Sequence, residues 1–248
     1  RLESTAGAQC LTTPTEGITR ARLAHHSLED RAEELAQNAL DMVRELAPQH
    51  ILVEIGPCRL PLDPSSKSSL NEHRDQYASA ARCFEHQDFD AYLLSEFEDI
   101  TELKCAIMGL RQVSDRPIFA SVVVNADGTL VSGRGTMVEA AEMMTEYEAS
   151  VIGFQTAAPI EDATSIALSI VRTSPLPIMA TLEVKEYAPR QWEPTLDNPY
   201  CNPDVMVDNG IKLHNAGVQF LRVCGQATPA YTGALVAGPM GVDVAKRA

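Results

Sequence analysis

Residues 91–104 read Ala-Tyr-Leu-Leu-Ser-Glu-Phe-Glu-Asp-Ile-Thr-Glu-Leu-Lys, an apolar run that leads directly into a helix-start signal. The run Asp90–Glu96 carries apolar side chains at consecutive positions, which is typical of a strand covered on both faces. Asp99 is followed three residues later by Glu102, the spacing of a helix cap. The stretch therefore predicts one β/α unit of a parallel sheet that is covered by helices.

The same alternation of apolar strand and helix signal recurs along the chain. Six further strands are predicted at Gln9–Thr13, Ile51–Ile55, Ile118–Val124, Val151–Gln155, Ile178–Glu183 and Phe220–Cys224. Seven such units in 248 residues are one short of a (β/α)8 TIM barrel, which usually takes about 250 residues. We therefore expect an α/β barrel of this class, formed by a single domain over residues 1–248. Barrel enzymes bind substrates at the carboxyl ends of the strands, so residues at those ends are the candidates for a site.

Helix starts are predicted where a serine or threonine precedes a glutamate by three residues. Ser69 with Glu72 and Thr136 with Glu139 have this spacing, and each pair is expected to open a helix. The segment Lys185–Cys201 has no such signal and is predicted to be a loop. Its length favours a lid or a binding loop, and a plain surface excursion is the alternative.

Composition limits the classes of partner. The chain is 45% hydrophobic and 22% charged, with a formal net charge of −14. This charge repels phosphate backbones and anionic lipids, so we expect no nucleic-acid and no membrane partner. Six cysteines are scattered without a Cys-x-x-Cys pair, which favours a reducing, cytoplasmic setting. Four of them are expected to be small buried hydrophobes: Cys10, Cys58, Cys83 and Cys105.

Several strand ends together resemble the homocysteine S-methyltransferase family in their order and spacing. These segments are Ala8–Gly17, Ile55-Gly56-Pro57, Leu94–Lys104, Pro117–Ser121, Val151–Thr156 and Cys224-Gly225 with Thr228-Pro229. The resemblance implies a TIM barrel like the homocysteine-binding barrels of methionine synthase and betaine-homocysteine methyltransferase, and a role in methionine biosynthesis. It also implies that the unit missing here is the family's first strand, which carries a glycine-rich substrate-binding turn, so we expect an N-terminal truncation.

The resemblance further implies zinc, which the family holds with three cysteines to activate the thiol of homocysteine. Thr156 stands at the place of one of these cysteines, and only Cys224 remains of an adjacent pair. A neutral hydroxyl is a poor zinc ligand. We therefore expect no tightly bound zinc of the family's kind unless other residues replace the lost thiolates, and Cys201 and His214 are the candidates for that. The residues do not specify the methyl donor, for which a corrinoid and a folate are both open.

Glu96 is the first candidate for substrate binding. A carboxylate that ends an apolar strand is costly unless it meets a partner or a ligand. The resemblance implies that it binds the amino group of homocysteine, and a salt bridge to a neighbouring loop is the structural alternative. Asn125, Gln155, Thr156 and Glu183 are expected to line the mouth of the barrel as polar contacts, with hydrogen bonds inside their own loops as the alternative.

Two functional classes follow from these observations. The leading hypothesis is a methyltransferase that moves a methyl group to or from homocysteine or a related small thiol or amine. The alternative is a zinc-free barrel that has lost catalysis and acts as a ligand-binding or partner subunit, for example with a corrinoid protein. A new reaction on the same barrel is a third hypothesis, because fold alone does not fix chemistry. Association with a second subunit or with further copies of the chain is compatible with each of them.

Overall fold

The computed structural model of the chain describes residues 1–186 and 193–245. Helices and strands alternate through these residues from the first strand onward. The strands are β1 (Cys10–Thr12), β2 (His50–Ile55), β3 (Ala91–Phe97), β4 (Ile118–Val123), β5 (Val151–Thr156), β6 (Ile178–Val184) and β7 (Phe220–Gly225). The helices are α1 (Leu2–Thr5), α2 (Arg20–Ala24), α3 (Ala32–Arg44), α4 (Lys67–Arg82), α5 (Ile100–Arg111), α6 (Met137–Glu146), α7 (Ile160–Thr173), α8 (Val205–Asn215) and α9 (Pro229–Ala245). None of the described helices is both long and apolar enough to cross a membrane.

All seven predicted strands are confirmed, and each observed end lies within one residue of the prediction. The agreement has a physical cause. In β5, for example, all six residues from Val151 to Thr156 are buried. A strand that is buried on both faces is recognisable as a continuous apolar run because neither face has to carry polar side chains.

The chain forms two compact units. Unit A comprises Gln9–Val122 and Met143–Ser150, and unit B comprises Arg1–Ala8, Val123–Glu142 and Val151–Ala248. In unit A, β1 to β4 pair in parallel and in chain order. In unit B, β5, β6 and β7 do the same. The expectation of a single domain over residues 1–248 stays a prediction.

Two of the predicted helix starts are confirmed by their hydrogen bonds. The Asp99 carboxylate accepts the N–H of Thr101 at 2.8 Å and that of Glu102 at 3.3 Å, which caps α5. Thr136 and Glu139 form a reciprocal pair of hydrogen bonds at the start of α6. The Thr136 N–H donates to the Glu139 carboxylate at 2.8 Å, and the Glu139 N–H donates to the Thr136 hydroxyl at 3.3 Å. These caps satisfy amide groups that the first helical turn leaves without a partner.

The predicted start of α4 at Ser69 is wrong. Ser66 caps this helix, and its hydroxyl accepts the N–H of Ser69 at 3.3 Å. Ser69 therefore lies inside the first turn, and the helix begins at Lys67. Two serines three residues apart offer the same capping chemistry, so the spacing of Ser69 and Glu72 alone selected the wrong one.

Helices α4 and α5 of unit A approach each other closely at Gly109. A Cβ atom added to Gly109 would lie 2.4 Å from the Arg74 carbonyl oxygen and 2.8 Å from the Cβ of Tyr77. Only a residue without a side chain allows this separation. The close approach brings Tyr77 of α4 within hydrogen-bond distance of Glu102 in α5, at 2.7 Å.

We expect Gly109→Ala to lower the free energy of unfolding by about 1–3 kcal/mol, because the methyl group forces the two helices apart. Gly233→Ala in α9 is the matched control, since its added Cβ would meet its nearest neighbour at 3.8 Å. The control should gain up to about 1 kcal/mol from helix propensity. Urea unfolding of both variants checks the prediction, and equal stabilisation of the two would contradict it.

Candidate functional site

Glu96 lies in a β-bulge near the end of β3. Leu94 pairs with Ala120 of β4 and Phe97 pairs with Val122, so β3 contains one residue more than its partner across this interval. Glu96 has a φ of +64°, in the left-handed region that a glutamate rarely adopts. Bulges commonly re-aim a side chain at the rim of a sheet, and a backbone outlier of this kind is a reason to suspect function.

The bulge turns Glu96 outward while its two neighbours stay inside. Ser95 is 1% exposed and Phe97 is 0% exposed, whereas Glu96 is exposed. Among the described residues, none forms a hydrogen bond or an ion pair with the Glu96 carboxylate. The salt bridge that was the structural alternative is therefore absent from the described part of the chain, and the carboxylate is available to a ligand.

In unit B, the ends of β5 and β6 bring Gln155 and Glu183 together. The Gln155 side-chain amide donates to Glu183 Oε2 at 3.2 Å. Gln155 is buried and Glu183 is half-buried. The bond fixes the orientation of the amide and leaves a half-exposed carboxylate at the carboxyl end of the strand. Two of the residues that the sequence predicts for substrate binding are thus in contact.

Thr156 and Asn125 are engaged in local bonds of unit B. The Thr156 hydroxyl is buried and accepts the N–H of Ala158 at 3.1 Å. Asn125 is exposed and opens the tight turn that ends at Gly128, where its side-chain amide donates to Thr129 Oγ1 at 3.1 Å. Their assignment to substrate binding stays a prediction.

Cys224 is half-buried and pairs in register with Glu183. Gly225 follows it with a φ of +70°, and an added Cβ there would lie 2.5 Å from the Val184 carbonyl oxygen. The donor set at these strand ends does not fit a zinc ion held by three thiolates. Thr156 offers a neutral hydroxyl that already accepts a hydrogen bond, and Cys224 is the one thiol at the matched positions.

The two residues considered as replacement ligands have different surroundings. Cys201 is fully buried and lies 3.7 Å from the Asn202 side-chain amide. His214 is exposed in the last turn of α8, which is typical of a surface histidine.

The predicted loop Lys185–Cys201 contains no helix or strand in its described part. Residues 187–192 lie outside the described residues. The Tyr200 hydroxyl donates to the Ala158 carbonyl at 2.6 Å, and the Tyr231 hydroxyl donates to the Tyr200 carbonyl at 3.0 Å. These bonds fix the end of the loop within unit B. The role of the loop as a lid stays a prediction.

Unit A contains a polar cluster that the sequence reasoning missed. Glu102 Oε1 accepts the Tyr77 hydroxyl at 2.7 Å, the Cys58 N–H at 3.0 Å and the Cys58 thiol at 3.3 Å. His73 completes the cluster, since its ring nitrogen, Cys58 Sγ and a Glu102 oxygen lie within 4.8 Å of one another. Among the described residues this is the one group of at least three His, Cys, Asp or Glu side chains arranged in this way.

Cys58 is buried, as predicted, but it is not only a small hydrophobic residue, because its thiol donates a hydrogen bond to a carboxylate. Burial, followed by the charge of Glu102, raises the pKa of this thiol to about 12. Burial likewise raises the pKa of the Tyr77 hydroxyl. Two features of the sequence could have indicated this cluster. Cys58 follows a strand end, and His73 and Tyr77 are four residues apart, so they share one face of a helix.

The other three cysteines divide into two groups. Cys105 is buried, as predicted, whereas Cys10 and Cys83 are only half-buried. Burial raises the pKa of all three thiols. None of the six cysteines forms a disulfide.

The alternation of parallel strands and helices, with polar residues at the strand ends, defines an α/β protein of the TIM-barrel class. Comparison with solved structures supports this class. The metallated form of the homocysteine methyltransferase MmuM from Escherichia coli superposes with a TM-score of 0.77 over 95% of this chain and 81% of that one. The oxidized form of MmuM gives the same TM-score. The sequence identities of 15% and 14% mean that this likeness concerns the fold alone.

Sequence comparison adds the family. A sequence model described as homocysteine S-methyltransferase matches residues 4–237, and the chain belongs to this family. Methionine synthase from Mycobacterium tuberculosis is 29% identical over 142 residues, and that from Mycobacterium leprae is 28% identical over the same length. Each match covers 52% of this chain and 12% of the methionine synthase. The family predicted from the strand ends is therefore confirmed.

We expect Cys224→Ser to leave the zinc content of the purified protein unchanged, because the donors at the matched positions do not form the family's zinc site. Metal analysis after dialysis against a weak chelator measures this. Stoichiometric zinc that is lost in Cys224→Ser would contradict the prediction and would direct attention to Cys201 as a replacement ligand.

We also expect the thiol of Cys58 to react slowly in the folded protein. At pH 8 a thiol with a pKa of about 12 is thiolate in about one molecule in 10,000, against roughly one in four for an ordinary cysteine. Alkylation of the metal-free protein, followed by peptide mass mapping, should show Cys58 reacting about 1,000-fold more slowly than in urea. A native rate within tenfold of the urea rate would contradict the prediction.

Proposed function

We propose that this chain binds homocysteine, or a related small thiol or amine that carries an ammonium group, and takes part in methyl transfer to or from it. The observation that carries the proposal is Glu96. Its backbone is in the left-handed region and its carboxylate is exposed at the carboxyl end of β3. An exposed anion at a strand end of this barrel class suits the ammonium group of an amino acid.

Unit B, taken by itself, offers polar groups at its own strand ends for the same class of ligand. Glu183, oriented by Gln155, offers a second carboxylate at a strand end. Asn125 and Thr156 are assigned the lesser role of shaping the loops that follow β4 and β5. The acidic character of the chain adds to this preference for a cationic group.

In transfer to homocysteine its sulfur attacks the methyl carbon, the bond from this carbon to the donor breaks with its electron pair remaining on the donor, and the thiol proton passes to water. The donors at the matched strand ends do not fit the family's zinc ion. The methyl donor is a corrinoid or a folate in this proposal. The chain spans about an eighth of the methionine synthases it matches, so a corrinoid-carrying partner and a cytoplasmic location are proposals as well.

A second candidate function is favoured by the engaged hydroxyl of Thr156. A chain without the family's thiolates would bind the amino acid without transferring a methyl group, and would serve as a ligand-binding or partner subunit. In both functions Glu96 binds the ammonium group of the amino acid. Only the first function forms a methylated product.

We expect Glu96→Gln to weaken binding of homocysteine by about 10- to 100-fold, since a charge-assisted hydrogen bond contributes about 1.5–3 kcal/mol. Calorimetric titration with homocysteine and methionine measures this. Glu98→Gln is the control, because Glu98 is also exposed and lies two residues away. Equal affinity of Glu96→Gln and the wild type would remove Glu96 as the anchor.

The same proteins separate the two candidate functions. Incubation of homocysteine with methylcobalamin or 5-methyltetrahydrofolate, followed by mass spectrometry, should show methionine with the wild type and less with Glu96→Gln. Binding that depends on Glu96 without any methionine would favour the ligand-binding function.

A further inference from the structure

We propose that Cys58, His73 and Glu102 of unit A hold a zinc ion in a closed site. The proposal is independent of methyl transfer, and it does not use the cysteine positions by which the family is matched. It follows from the contacts, the burial and the donor chemistry of these three side chains.

Three elements of unit A place the donors. Cys58 lies three residues beyond the end of β2, His73 projects from α4, and Glu102 lies in the first turn of α5. The Asp99 cap fixes where α5 begins, and Gly109 lets α4 and α5 come close. The donors are therefore positioned by structured elements and by the short turn after β2.

One of the three separations has the length of a tetrahedron edge around a metal ion. Cys58 Sγ and Glu102 Oε1 are 3.3 Å apart, and the His73 ring nitrogen lies within 4.8 Å of both. Metal bonds of about 2.0–2.3 Å in a tetrahedron place neighbouring ligand atoms about 3.3–3.8 Å apart. Sulfur, imidazole nitrogen and carboxylate oxygen are the ligand types that zinc uses, and a mixed set of this kind favours zinc over magnesium or calcium.

The surroundings of His73 call for a cation. Its Nδ1 lies 2.9 Å from the Ser69 carbonyl oxygen, and its Nε2 lies 3.3 Å from the Leu60 carbonyl oxygen. A neutral imidazole has one N–H. If Nδ1–H donates the shorter bond, the lone pair of Nε2 faces another acceptor, and only a proton or a metal ion there removes the repulsion.

A metal ion would also use the other groups in the cluster. A metal-binding histidine usually donates its second ring N–H to a carbonyl, as Nδ1 does to Ser69. The Tyr77 hydroxyl holds the Glu102 carboxylate at 2.7 Å, in the manner of an outer partner. In the proposed site the fourth position goes to the Leu60 carbonyl, whose oxygen lies 3.3 Å from His73 Nε2.

Two of the three donors are buried. Cys58 is 1% exposed and His73 is 0% exposed, whereas Glu102 is half-buried. Structural zinc sites have four ligands and no open position, whereas catalytic sites keep one for water or substrate. The ion would thus tie the turn after β2 to α4 and α5.

Zinc titration of the chelator-treated chain tests the proposal. We expect one zinc ion per chain and a rise in the melting temperature on binding. Cys58→Ser should lower zinc affinity by at least about 100-fold, since loss of an outer partner alone costs 10- to 100-fold. Cys105→Ser, which removes a buried thiol of α5 outside the cluster, should bind zinc within threefold of the wild type.

Cobalt(II) added to the Cys224→Ser protein keeps the test informative if Cys58→Ser does not fold. A thiolate-to-cobalt absorption band is expected, and it should be unchanged when Cys105→Ser is added. No zinc binding by the wild type, undiminished binding by Cys58→Ser, or no band in Cys224→Ser would each overturn the proposal. Loss of homocysteine binding in Glu96→Gln is a separate measurement, so failure of one proposal is distinguishable from failure of the other.

Discussion

The Oε1 atom of Glu102 is the point on which the arrangement of unit A depends. It accepts hydrogen bonds from the Tyr77 hydroxyl and from the N–H and thiol of Cys58, so it joins α5 to α4 and to the turn after β2. A buried polar group without such partners is costly, and removing this acceptor would leave the Tyr77 hydroxyl and the Cys58 thiol without it, while the Cys58 N–H would keep its bond to the Tyr77 oxygen at 2.9 Å. The exposed carboxylate of Glu96 lies near the end of β3, the strand that leads into this helix.

The bulge at Glu96 is best understood as a compromise between burial and exposure. Ser95 donates to the buried carboxylate of Glu54 at 2.7 Å, and Phe97 is fully buried. In a regular strand Ser95 and Phe97 would point to one face and Glu96 to the opposite face, and both faces of β3 are buried elsewhere along the strand. The extra residue of the bulge is therefore what leaves the glutamate exposed. The left-handed backbone of Glu96 supplies that residue at a conformational cost of order 1–3 kcal/mol. A cost of this size at a strand end is what a binding role would explain.

Strands such as β3 and β5 were predictable because both of their faces are buried, so they are continuous runs of mostly apolar side chains. Helix starts were predictable where one capping pair stood alone, as at Asp99, and failed where Ser66 and Ser69 competed. Glu96 stood out as a carboxylate at the end of an apolar strand, and Glu54 carried a weaker form of the same signal, inside β2, that was missed. The contact of Cys58 with Glu102 spans 44 residues, and no local pattern indicates a contact between segments so far apart in the chain.

The chain belongs to a family that binds zinc with three cysteines, but the side chains at the matched strand ends do not form such a site. The fold explains how these two observations are compatible. The core of a TIM barrel is formed by the strands, whereas its chemistry is carried by the residues that follow them. Replacement of thiolates at the ends of β5 and β7 therefore leaves the core intact. In the turn after β2, Cys58 has a histidine and a carboxylate as neighbours. Because the turns after different strands can change separately, loss of ligands after one strand does not remove the capacity of the fold to hold a metal after another.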